Sequence, residues 1–168
     1  MCKSSLHPVP RDFDFLFGHW RVRNERLKRR LAGSRDWEVF EARMQCHPVL
    51  GGKGNVEEHV CDAFGENRWI GMALRLFDPR TQHWSIHWAD NQRVTLEPPV
   101  VGVFEQGIGT FHGNDAHEGR PVRVRFIWDC RNAERPRWEQ AFSTDQGANW
   151  ETNWVMDFER LPASEMTA

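Results

Sequence analysis

Apolar and polar side chains alternate with a period of two along most of the chain. From His19 the alternation puts Trp20, Val22 and Asn24 on one face and Arg21, Arg23 and Glu25 on the other, which predicts a strand. Trp37 to His47 repeats the pattern, with Phe40, Ala42, Met44 and Cys46 opposing Val39, Glu41, Arg43 and Gln45. Further strands are expected over 56–62, 68–77, 82–90, 94–96, 100–106, 109–113, 121–130, 137–144 and 150–160. In the second of these Ile70, Met72, Leu74 and Leu76 share one side. Turn chemistry separates the strands: Ala32 to Asp36, the proline turn Asp78-Pro79-Arg80-Thr81, the loop Asn114 to Gly119, and Asp145 to Asn149. Asp12 to Gly18 is expected to make a single helical turn, a short plug capped by Asp12 and ended by Gly18. Residues 1–11 read as an extended arm, 12–160 as the folded unit and 161–168 as a frayed tail.

Many short strands with almost no helix indicate an all-β sandwich or a closed antiparallel barrel. Aromatic load separates the two. One parity carries Trp20, Trp84, Trp88, Trp128 and Trp138, then Trp150 and Trp154, together with Phe126, Phe142 and Phe158. So many rings need one deep interior, and a barrel of about eight to ten strands supplies it. The first and last strands are expected to lie side by side and close that barrel around Trp20. Asn24, Gln140 and Thr152 fall on the same parity, where they would be costly without partners.

Composition narrows the function classes. The 168 residues fit one domain, with nine Trp, eleven Phe, no Tyr and a mean hydropathy of -0.69. No run of about 18 apolar residues occurs, so no membrane span is expected. Met1 to Pro8 lacks the apolar core of a signal peptide, and the expected location is the cytoplasm. Cys2, Cys46, Cys61 and Cys130 are scattered, which suits free thiols and gives no zinc spacing. A net charge of -2 lacks the footprint of a nucleic-acid binder. The basic run Arg26-Leu27-Lys28-Arg29-Arg30 is the local exception, and it reads as a solvated hairpin end. Arg outnumbers Lys nineteen to three, and guanidinium planes stack well on indoles.

The first functional expectation is a small, largely apolar or aromatic ligand held in the interior. Trp20, Trp84, Trp88, Trp128, Trp138 and Trp154 would line the space with Met156. Asn24, Gln140 and Thr152 would orient the ligand. The second expectation is an enzyme on the same scaffold, performing proton transfer for isomerisation or cyclisation with Glu57 and His59 or with Asp90. Glu57 and His59 share a strand face, although the ordinary reading of that face is solvated, with a charge pair of little energetic value. Asp90 either serves as a site carboxylate or begins a turn. The third expectation is a filled barrel that acts as an interaction protein, forming a homodimer through exposed strand edges. No metal is expected: His83 and His87 lie about 13 Å apart on a strand, and His112, Asp115 and His117 fall in a hairpin loop. The glycine-rich 48–55 connection lacks a P-loop ending, and no cofactor fingerprint is present.

The Gly18-His19-Trp20 step after an aromatic plug resembles the Gly-x-Trp motif of lipocalin-like (calycin) barrels. The resemblance implies that Trp20 sits inside the base and that Arg160, from the last strand, packs across it. Over nearly its full length the chain is also similar to an uncharacterised bacterial tryptophan-rich family of lipocalin-like β-barrel proteins. The matching segments are Asp12 to Trp20, Leu74 to Pro79, Trp84 to Asp90, Trp138 to Ser143 and Trp150 to Phe158. That likeness implies the same fold and no assigned activity. Some ten-stranded barrels of this size bind haem through a His on the last strand, and Trp150 to Arg160 holds none.

Overall fold

Ten antiparallel strands run as a meander and close on themselves in the computed structural model, which describes residues 10–65, 68–162 and 165. They are β1 (Gly18–Leu27), β2 (Trp37–Val49), β3 (Gly54–Cys61), β4 (Trp69–Asp78) and β5 (His83–Asp90). The second half holds β6 (Val100–Glu105), β7 (Ile108–His117), β8 (Arg120–Asp129), β9 (Arg137–Ser143) and β10 (Glu151–Arg160). Each strand pairs with its sequence neighbours, and β1 seals the ring against β10, with Trp20 opposite Arg160 and Arg26 opposite Trp154. Each of these ten strands therefore has two neighbours in the ring.

The base of the barrel shows why this sequence closes. Trp20 is wholly buried and donates its indole N–H to the Leu16 carbonyl at 2.8 Å. The Arg160 guanidinium lies 4.2 Å from the Trp20 ring and donates to the Phe17 and Phe15 carbonyls at 3.0 and 2.7 Å. First strand, last strand and the preceding segment are thus tied at one point. Gly18 stands at the bend with φ +113°, a conformation that strains any side chain with a Cβ. Gly18, Trp20 and Arg160 accordingly occupy the closing positions.

The segment before β1 is not a helix. It forms a three-residue 3-10 turn, Asp14–Leu16, with no side-chain cap. Asp12 instead accepts the Trp84 indole N–H at 2.9 Å. Phe13 is driven inward, its ring 5.0 Å from Trp84, 4.9 Å from Phe104 and 6.0 Å from Phe111.

Three other expectations change, and the shared side expected for β4 gains a direction. Residues 94–96 lie in the connection between β5 and β6 and are not a strand. β7 runs on to His117, so Asp115 and His117 alternate with His112 across a strand and do not gather in a loop. Ile70, Met72, Leu74 and Leu76 do share a side of β4, but it is the outer one, and Trp69, Gly71, Ala73 and Arg75 face inward. The small inner residue at 71 has a reason: a Cβ there would lie 2.4 Å from the Trp88 ring. Trp150 lies outside the wall, under the Arg125 guanidinium at 4.6 Å and beside His112.

Cys46, Cys61 and Cys130 are free thiols. Cys2 falls outside the described residues, as do most of the N-terminal arm and most of the tail.

Candidate functional site

The barrel is filled at one end and hollow at the other. Phe13 and Leu16 occupy the base, while a cavity of about 360 Å³ lies toward the end carrying the 28–36 and 91–99 connections. Local pairing explains the opening. β5 and β6 share only three residue pairs, from Trp84 with Gly102 to Ile86 with Val100. The last residues of β5 run past the start of β6, and the 91–99 connection crosses there, Glu97 donating its N–H to the Trp88 carbonyl at 2.7 Å.

Indoles build the wall. Trp69, Trp88, Trp128, Trp138 and Trp154 all face the cavity. Their ring centroids are 5.8 Å apart for Trp69 and Trp88, 6.3 Å for Trp88 and Trp154, and 5.8 Å for Trp138 and Trp154. Those spacings suit edge and offset packing and hold each ring in place. Gln140 and Met156 complete the side formed by β9 and β10.

An ionic cluster lies buried beneath that wall. Glu57 and His59 project inward from β3, and Arg75 projects inward from β4, each no more than 3% exposed. His59 Nε2 is 2.9 Å from Glu57 Oε1, and Arg75 Nη2 is 2.7 Å from Glu57 Oε2. Arg75 Nη1 donates to Asn55 Oδ1 at 3.0 Å. The Arg75 guanidinium sits 4.9 Å from the Phe13 ring and 5.3 Å from Trp128. The solvated face expected for Glu57 and His59 is therefore wrong. Period-two alternation fixes which residues share a face, and it cannot say which face is turned in.

Electrostatics set what the cluster can do. Burial pushes the Glu57 carboxyl up, but the charges and hydrogen bonds of Arg75 and His59 outweigh it and bring the pKa down to about 2. The anion accepts only, so His59 Nε2 is the donor toward it. Glu57 and Arg75 reach the cavity wall, whereas His59 is not part of it and sits between Trp88 and Phe158. A carboxylate held this low is a weak proton acceptor. It serves better as the fixed counter-ion of Arg75.

The expected ligand-lining residues divide. Trp88, Trp128, Trp138, Gln140, Trp154 and Met156 are on the wall. Trp20 and Trp84 lie at the base, held by Leu16 and Asp12. Asn24 is spent on structure, its Oδ1 accepting the Trp154 indole N–H at 2.9 Å. Thr152 is displaced by a β-bulge. Thr152 pairs with Ala141 and Trp154 with Gln140, so Asn153 is the extra residue. Asn153 is fully buried and accepts from Gln140 Nε2 at 2.8 Å. Asp90 is on the wall near the mouth, yet it also begins the turn, accepting the N–H groups of Gln92 and Arg93 at 3.0 and 2.9 Å.

The barrel is similar to Rv2717c from M. tuberculosis. The two superpose with a TM-score of 0.63 at 10% sequence identity, over 94% of this chain and 100% of the Rv2717c chain. At that identity Rv2717c supports the closed ten-stranded fold and nothing finer. Neither a protein-family model nor a curated protein sequence matches the chain.

Sequence reasoning missed Trp69, Arg75 and Asn153. Asn153 is invisible because a bulge breaks the period. Arg75 does leave a signal: it is the lone charge inside Ile70 to Phe77, and an arginine in so apolar a strand needs a buried acid on a neighbour. Among the described residues, no group of three or more His, Cys, Asp or Glu is placed to hold a metal ion. Among them also, no helix is long and apolar enough to cross a membrane.

Proposed function

We propose that this chain is a lipocalin-like barrel that binds a small, largely apolar or aromatic molecule in its indole-walled cavity. The observation that carries this reading is the cavity itself. Its volume of about 360 Å³ lies within the range of small-molecule sites, walled by five Trp rings in its depth and by many charged and polar side chains toward its mouth. It has room for about a dozen waters, which weighs against a barrel filled by its own side chains. The proton-transfer reading draws less support. His59 is off the wall, and Glu57 is held as an anion of low basicity.

Binding of N-phenyl-1-naphthylamine tests the proposal. The neutral probe is expected to bind one per chain with a Kd on the order of 1 µM, quenching indole emission as it fills the site. Ala73 is inward, buried, on the cavity wall and paired with Trp88 on the neighbouring strand. Ala73→Phe should fill the cavity, weaken the probe at least about tenfold and leave the fold intact. A wild type that neither quenches nor saturates would remove the proposal. Unchanged affinity in Ala73→Phe would move the site elsewhere on the molecule.

A further inference from the structure

The mouth of the cavity is lined by charged side chains that are not all ion-paired among the described residues. Beside His117, the ionisable groups lining it are Arg26, Arg30, Asp90, Arg93, Glu97 and Asp115. Arg93 hydrogen-bonds Glu97 and lies 3.6 Å from Asp90. Arg26 is paired with Glu38 at 2.6 Å. Asp115 accepts the Ala116 backbone N–H and has no ion pair among the described residues. Arg30 likewise makes no ion pair and no side-chain hydrogen bond among the described residues. Its guanidinium lies over Phe142 at 5.7 Å and over Trp154 at 5.8 Å, and Arg26 lies over the same Trp154 at 5.2 Å.

Two guanidinium groups on one indole repel each other, and among the described residues only Arg26 is ion-paired to a carboxylate. Burial first, and the like charge of Arg26 second, bring the Arg30 pKa down to about 10, so the group is still a cation at neutral pH. A partly buried charge without a partner is costly, and its cost falls when a counter-charge arrives. The planar fork of an arginine fits an oxyacid with two parallel hydrogen bonds. Behind Arg30, through Trp154, begins the apolar wall.

We infer that the ligand is amphipathic: an aromatic or alkyl body among the indoles, joined to one anionic oxyacid group that seats on Arg30 at the mouth. This rests on the cavity-binding reading and names its ligand class. The same geometry gives Arg30 a role in selecting charge, while the indoles hold the body whatever its charge.

Two probes with the same body separate the inference from the reading beneath it. Anilinonaphthalene-8-sulfonate differs from N-phenyl-1-naphthylamine by one sulfonate. The sulfonate probe is expected to bind about tenfold tighter to the wild type. Arg30→Met should erase that advantage and leave the neutral probe's affinity unchanged, and Arg30→Lys, which keeps the charge, should retain most of it. Equal affinities for the two probes in the wild type would overturn the inference while the cavity reading stands. So would an Arg30→Met variant that weakens both probes alike. Binding of neither probe would overturn both.

Discussion

Arg75→Met is expected to cost about 3–5 kcal/mol of folding stability, because it leaves Glu57 as a buried carboxylate with its main counter-ion removed. For a chain of this size that lowers the melting temperature by about 10 °C or more. Glu57→Leu combined with Arg75→Met should regain most of the loss, since a buried ion pair replaced on both sides by apolar groups is often neutral. Chemical denaturation of the wild type and the two variants measures this. A single Arg75→Met change costing under about 1 kcal/mol would show that the pair is not buried as described. The same cluster sets an acid limit. The Glu57 carboxyl titrates at about 2 when folded against an ordinary value of 4.5. The unfolded chain therefore takes up more protons between those values. The stabilisation is present above pH 4.5 and drains away as pH falls toward 2, a slope that Glu57→Gln should flatten.

Trp20→Ala is the second large effect, at about 3–5 kcal/mol. The indole is fully buried, carries the Arg160 guanidinium on its face and holds the Leu16 carbonyl. Trp20→Phe keeps most of the packing and loses the N–H donor, so its cost should be about 1–2 kcal/mol. Equal losses in the two variants would mean that the hydrogen bond, and not the bulk of the ring, holds the base. A negligible loss in both would separate the closing of the barrel from this residue.

The way these residues are placed explains what could be read from the chain. Ring-rich alternation at Trp20, Trp84, Trp88, Trp128 and Trp154 pointed to one deep interior, because bulky rings with a period of two have few other places to go. The closure by Arg160 followed from the Gly18-His19-Trp20 resemblance. Three kinds of information were lost. A single inserted residue at Asn153 reverses the inside and outside of everything before it in β10, so Thr152 and Trp150 were misplaced. In β4 apolar groups stand on both faces, and the inward one was decided by the space that Trp88 needs over Gly71. In β3 the charged face turned in together with Arg75 on the neighbouring strand β4, a pairing between strands that the pattern within one strand does not carry.

The division of the indoles between base and wall was equally hidden. Trp84 and Trp88 sit four apart on one strand face, yet one meets Phe13 and Asp12 while the other borders the cavity. What separates them is the depth reached by the plug. Depth along a barrel axis depends on strand register, which the closing pair Trp20 with Arg160 sets from the opposite end of the chain.

The most direct measurement is a crystal structure of the protein soaked with 1-bromonaphthalene, read from the anomalous signal of bromine. One strong peak is expected among Trp69, Trp88, Trp138 and Trp154, with Trp20 and Trp84 untouched at the base. Side chains collapsed across that space, or bromine found only on the outer wall of β4, would contradict it.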